Sequence, residues 1–142
     1  MAVVNPYLTF DGNCEEAFNF YKSVFGGEFA TVMRFSEMPE GSPVPDSVAN
    51  RVMHVALPIT GSVLMGSDSM PNMGPPFNAG NNFSVAVGPD SEDEARQIFD
   101  GLAAGGTVTM PFGPTFWGAL FGMLVDKFGI AWLVNYDLSR NS

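Results

Sequence analysis

The chain has 142 residues, 46% of them apolar and 13 of them phenylalanine, which is enough to bury the core of one compact domain. Six basic residues against fifteen acidic ones give a formal charge of −9, and the scattered cations (Lys22, Arg34, Arg51, Arg96, Lys127, Arg140) form no positive stripe, which argues against a nucleic-acid partner. No apolar run nears the roughly 20 residues that span a bilayer, and the first residues lack a basic segment leading into one, so a soluble cytoplasmic protein without a membrane partner is expected.

Residues 3–10 read as a strand, with Val4, Leu8 and Phe10 on one face and Asn5, Tyr7 and Thr9 on the other. A helix follows over 13–27. Asn13 and Glu16 have the spacing of a capping box, Ala17, Phe20, Tyr21 and Val24 form its apolar stripe, and glycine closes it. Cys14, the sole cysteine, excludes an intrachain disulfide and a cysteine-cluster metal site. Glu15 and Glu16 oppose a thiolate there, so packing is its expected role.

Residues 29–35 have the composition of a second strand, and 52–59 turn through Thr60 and Gly61 into 62–67 as a hairpin. The pattern then repeats. Strand 83–87 leads to a helix over 91–105, in which Ser91 and Glu94 precede Ala95, Ile98, Phe99 and Leu102, 78 positions (95 minus 17) after the first copy. Strand 107–112 and a hairpin of 119–125 and 130–136, turning through Asp126 to Gly129, complete it. Each half is β-α-β-β-β. The chain is expected to be one α+β domain, 1–142, with repeats 1–67 and 82–142 joined by a linker, 68–81. Segments 36–50 and 68–81 are rich in proline and glycine, and the first has no counterpart in the second half, so an added role is plausible for it.

Beyond this pattern, several stretches carry a resemblance: Pro6-Tyr7-Leu8-Thr9-Phe10, Gly12-Asn13-Cys14-Glu15-Glu16-Ala17, Phe20-Tyr21, Phe25-Gly26-Gly27, Met53-His54, Met65-Gly66-Ser67-Asp68, Thr115-Phe116-Trp117-Gly118, Asp126-Lys127-Phe128-Gly129 and Trp132. In this order they resemble the PhnB-like branch of the vicinal oxygen chelate superfamily, with glyoxalase I, bleomycin-resistance proteins and extradiol dioxygenases. The resemblance implies tandem βαβββ modules whose curled mixed sheets surround a cavity, commonly within a homodimer. Some relatives carry a methyltransferase label, but no strand here leads into a glycine-rich cofactor loop.

The first hairpin sets Ile59 against Ser62, Leu57 against Leu64, Ala56 against Met65 and His54 against Ser67. Alternation puts Met53, Val55, Leu57, Ile59 and Leu64 on a greasy face for the helix. His54, Ala56, Met65 and Ser67 take the other face, and with Asn5, Tyr7 and Thr9 of the first strand and Asn82 and Ser84 of its counterpart they are expected to line the cavity. His54, the sole histidine, is the candidate general base, metal ligand or ligand hydrogen bond, weighed against a structural hydrogen bond. No nucleophile and base pair is readable.

The superfamily's enzymes hold a divalent ion with His and Glu from the first and last strands of each module. The matching positions here are Asn5 or Tyr7, Met65 or Ser67, Asn82 or Ser84, and Leu133 or Asn135, with Asp68 and Glu37 as remote candidates, so no metal is expected. Met38, Met70, Met73, Phe77, Phe112, Phe116 and Trp117 gather near the expected opening. Phe116 and Trp117 are assigned first to core or interface and second to ligand contact.

The leading expectation is a small-molecule-binding protein without a cofactor, its ligand contacts drawn from Tyr7, Thr9, His54, Met65, Ser67, Phe116 and Trp117. The alternative is a divalent-metal-dependent lyase, isomerase or dioxygenase.

Overall fold

A computed structural model describes residues 2–37, 45–70 and 75–138; Met38 and Met73 lie outside them. The chain divides into two compact units, Met1–Ala79 and Gly80–Ser142. The first contains β1 (Tyr7–Phe10), α1 (Cys14–Phe25), β2 (Thr31–Arg34), short 3-10 turns at Phe35–Glu37 and Asp46–Val48, β3 (Val52–Ile59) and β4 (Ser62–Asp68). The second contains β5 (Val85–Val87), α2 (Glu92–Ala103), β6 (Thr107–Pro114), β7 (Ala119–Val125) and β8 (Ala131–Asp137). Each unit is the βαβββ module expected of an α+β repeat.

The sheets are mixed. Their orders are β1-β4-β3-β2 and β5-β8-β7-β6, with β1 parallel to β4, β5 parallel to β8 and the remaining pairs antiparallel. The first strand of each unit therefore pairs with the last, which is possible because the helix and hairpin between them supply the crossover that a parallel pair needs. Residues 3–6, expected to begin the first strand, precede it. Asn5 is anchored there: its Oδ1 accepts from the amide of Val63 at 3.0 Å, so this side chain serves the edge of β4 rather than the cavity-facing surface assigned to it.

Two local expectations for α1 need correction. Asn13 makes no side-chain cap. In its place the buried carboxylate of Asp68 accepts from the amides of Gly12 and Cys14 through Oδ1 and from Val52 through Oδ2, all at 2.9 Å. Asp68 thus brings a charged acceptor to the positive end of the helix, bonding the first helical amide, that of Cys14. The buried stripe is Cys14, Ala17, Phe18 and Tyr21, at i, i+3, i+4 and i+7, while Phe20 and Val24 are only partly covered. Phe18 takes the central place because it meets Phe10 edge-on at 6.1 Å and Tyr21 at 5.4 Å. A Cβ on Gly66 of β4 would stand 2.7 Å from Phe18 Cε1 and 2.8 Å from the Leu8 carbonyl oxygen, so glycine permits this approach of helix to sheet.

The α2 stripe is as expected, with Ala95, Ile98, Phe99 and Leu102 buried. Ser91 accepts from Glu94 N at 3.1 Å, and Glu94 reaches back one residue beyond the cap to the amide of Asp90 at 2.8 Å. At the β7–β8 turn the buried Asp126 accepts from Phe128 N and Ile130 N through Oδ1 and from Trp132 Nε1 through Oδ2, at 2.8, 3.0 and 2.8 Å. One carboxylate thus fixes the turn and seats the indole that forms much of this unit's core.

Candidate functional site

The β3–β4 hairpin has the expected register: Ile59 opposes Ser62, Leu57 opposes Leu64 and Ala56 opposes Met65. β2 adds Thr31 opposite Ala56 and Met33 opposite His54, and β1 adds Tyr7 beside Met65 and Thr9 beside Ser67. Cross-strand neighbours share a face. Tyr7, Thr9, Met33, His54, Met65 and Ser67 therefore lie on the face turned away from α1, while Leu8, Phe10, Val55, Leu57 and Leu64 are buried on the helix side. Met53 departs from the expected alternation. The pairing steps from Met33 opposite His54 to Arg34 opposite Val52, so Met53 is the extra residue of a bulge and Val52 fills the core position instead.

The five candidates from this unit, Tyr7, Thr9, His54, Met65 and Ser67, are brought together on one surface. Tyr7 and His54 also touch: Tyr7 Oη lies 3.4 Å from His54 Nδ1, and the rings stack at 5.8 Å with 25° between their planes. Two strands separate in sheet order by β4, so this contact was not readable from the hairpin alone. Tyr7 is 47% exposed and His54 is partly exposed. No charged side chain occupies these positions on the face.

In the second unit the corresponding face carries Ala86, Leu133, Met123 and Met110 in one row and Asn135, Phe121 and Gly113 in the next. Phe116 and Trp117 sit in the turn between β6 and β7, held by Thr115 Oγ1, which donates to the carbonyl of Ala119 at 2.9 Å. They are not core residues: Phe116 is 97% and Trp117 53% exposed, Trp117 packing edge-on against Phe121 at 5.6 Å. Phe112 is no part of an opening either. Its ring lies 5.4 Å from Phe99 of α2 with the Arg96 guanidinium over it, on the helix side.

Cys14 is fully buried, and burial, followed by the charges of Asp68 and Glu15, pushes its thiol far above the ordinary range. Glu15 is held below the usual carboxylate range by its hydrogen bond and attraction to Arg34, against a smaller opposing effect of burial. Glu37 accepts from the amide of Arg34 at 3.3 Å, and Asp68 is consumed by three amides, so neither remote metal candidate points at the Tyr7–His54 face. A crevice of about 30 Å³, lined by Glu15, Phe18, Asn19, Phe29, Val32, Val52 and Val55, lies under α1 on the opposite side of the sheet.

Positions matching the superfamily's metal ligands present phenol, thioether, hydroxyl, methyl and amide groups. Those donors do not make the imidazole and carboxylate set that a catalytic divalent ion requires. Among the described residues no three His, Cys, Asp or Glu side chains gather as a metal cluster.

A family profile described as 3-demethylubiquinone-9 3-methyltransferase matches residues 2–135. Protein YjdN of Escherichia coli K12 is 33% identical over 143 aligned positions, covering 93% of each chain. The structure of protein PA1353 from Pseudomonas aeruginosa is 40% identical with a TM-score of 0.85, covering 96% of this chain and 98% of that one. A PhnB protein from Bacillus cereus is 30% identical with a TM-score of 0.73, covering 95% and 99%. This chain belongs to the PhnB-like family. The fold alone extends the likeness to a glyoxalase-related enzyme from Fulvimarina pelagi, 20% identical with a TM-score of 0.63 over 96% of this chain and 89% of that one.

Proposed function

We propose that this PhnB-like protein binds a small, partly apolar molecule on the face of the first sheet turned away from α1, with Tyr7 and His54 as its polar anchor. The contact between those two rings carries the reading. A phenol and the chain's sole imidazole are stacked and hydrogen-bonded yet left partly exposed, beside the hydroxyls of Thr9 and Ser67 and the thioethers of Met33 and Met65. A few fixed polar groups set in adaptable apolar surface give orientation and affinity together. The uncharged character of the face favours a neutral ligand.

Methyl transfer, named in the family description, finds little support at the first strand-to-helix junction. The amides of Gly12 and Cys14, where a cofactor's anionic group would dock, already donate to Asp68.

Fluorescence titration with 8-anilinonaphthalene-1-sulfonate, competed by a panel of neutral aromatic carbonyl compounds, tests the reading. His54→Gln and Tyr7→Phe should each weaken the competing compounds by several-fold; equal affinity in both variants would sink it. Elemental analysis of protein purified without chelator separates it from the metal-dependent lyase, isomerase or dioxygenase reading, which near-stoichiometric zinc, nickel, manganese or iron would promote. The same proposal takes the protein as a cytoplasmic homodimer, since each sheet leaves two edge strands. Light scattering at micromolar concentration giving a monomer mass would reject the dimer.

A further inference from the structure

The donor set that fails a hard divalent ion fits a different class of metal. Met33 stands directly across β2 and β3 from His54, and Met65 stands opposite Ala56, two residues along β3, so it is His54's diagonal neighbour on β4. Opposed side chains in a sheet are separated by about 4.5–5.5 Å at Cβ and diagonal ones by about 7–8 Å, distances that flexible thioether side chains bridge. Tyr7 Oη occupies the Nδ1 side of the imidazole at 3.4 Å, which directs Nε2 to coordination. A ring N–H held by an oxygen is the usual second support of a metal-bound histidine, fixing its tautomer and orientation.

Two thioethers and one imidazole, with no carboxylate or thiolate among the face's residues, form a soft set. Such donors favour Cu(I) over zinc, nickel or manganese, whose sites draw on carboxylates, thiolates and several imidazoles. We propose that Met33, His54 and Met65 form a binding site for a soft monovalent metal ion, Cu(I) or its surrogate Ag(I), with Tyr7 as the positioning residue. The site lies wholly within the first unit and does not depend on an organic ligand. Cys14, the chain's one thiol, is buried among the residues of the α1 stripe and is not part of it.

Anaerobic titration with Cu(I) against bicinchoninate, in a Cys14→Ala background that removes the competing thiol, tests this. One ion per chain is expected to be retained. With Ag(I), the methyl resonances of Met33 and Met65 and the ring resonances of His54 should shift, while zinc at equal concentration leaves them in place. Tyr7→Phe should lower Cu(I) affinity about tenfold, as the loss of a supporting hydrogen bond does. Met33→Leu and His54→Gln should lower it further. Failure to retain Cu(I) against the chelator, affinity unchanged in Met33→Leu and His54→Gln, or Ag(I) shifts confined to other methionines would overturn the site. If a variant does not fold, the Ag(I) shifts in the parent chain decide.

Discussion

The carboxylate of Asp68 accepts a hydrogen bond from the amide of Cys14 at 2.9 Å across 54 residues of sequence. With Gly12 and Val52 as its other donors, it ties the start of α1, the loop before it and the start of β3 to the end of β4. Asp68→Ala leaves three amides without this acceptor. At about 1–3 kcal/mol per buried orphan donor, a loss of roughly 3 kcal/mol or more is expected, read as a lower urea midpoint with an unchanged slope. Asp68→Asn keeps one carbonyl acceptor and should lose less. An Ala variant with the parent midpoint would deny Asp68 this role.

Glu15 gives the molecule one defined acid sensitivity. Arg34 lowers its folded-state pKa, so the stabilisation is complete above the ordinary value of 4.5 and is lost as pH falls through the lower folded value. Glu15→Gln should therefore be slightly less stable than the parent above about pH 4.5, with the two curves converging in stronger acid. The pair is well exposed, so the difference is small. Thermal melts across the acid range check it; parallel curves would mean the ion pair contributes nothing.

Cys14 should be silent toward thiol reagents in the native state. It is fully buried and its thiol is pushed strongly upward, so little thiolate exists and none is accessible. Ellman's reagent should react rapidly in concentrated urea and only at the rate of unfolding in buffer. Prompt labelling of folded protein would show that α1 opens on its own.

Gly66→Ala should destabilise by about 1–3 kcal/mol, the usual cost of forcing atoms into a filled core. The new methyl meets both an aromatic edge and a backbone oxygen, and only the first can yield. Combining it with Phe18→Leu should therefore cost less than the sum of the two single changes, measured as a double-mutant cycle.

Much of the fold was legible because its local signals were strong. The Thr60-Gly61 turn set the β3–β4 register, and the α2 stripe stood out with its Ser91 cap. Errors arose where a distant residue intervened. The repeat suggested that α1 would bury the positions equivalent to those of α2, but Phe18 displaced Phe20 and Val24 once β1 and Gly66 came beneath it. Asn13 looked like a cap because Asp68 is far away in sequence. The Met53 bulge was invisible to strict alternation. Asp126, two residues before Phe128 and four before Ile130, opens the turn read at 126–129, but its third donor, the Trp132 indole, carries no local turn signal.

The candidate site was legible residue by residue but not as a contact. Alternation put Tyr7 and His54 on cavity-facing sides of two separate strands; only the parallel placement of β1 beside β4 let their side chains meet. Met33 entered the face through its pairing with His54, since strand 29–35 had no turn to fix its register. Of the core or interface role expected first for Phe116 and Trp117, the core part fails, because their tight turn exposes both side chains.

The parallel pairing of β1 with β4 also bears on how the chain assembles during synthesis. Tyr7 pairs beside Met65, 58 residues later (65 minus 7), and among the described residues β1 lies at a sheet edge with β4 as its single neighbour. As the chain leaves the ribosome, the β3–β4 hairpin can form from adjacent residues, while β1 and the start of α1 wait for the end of β4. The first unit is closed by Asp68, its last strand residue, and the second by β8, the one neighbour of β5 among the described residues. Each half therefore completes its structure only when its final strand has been made.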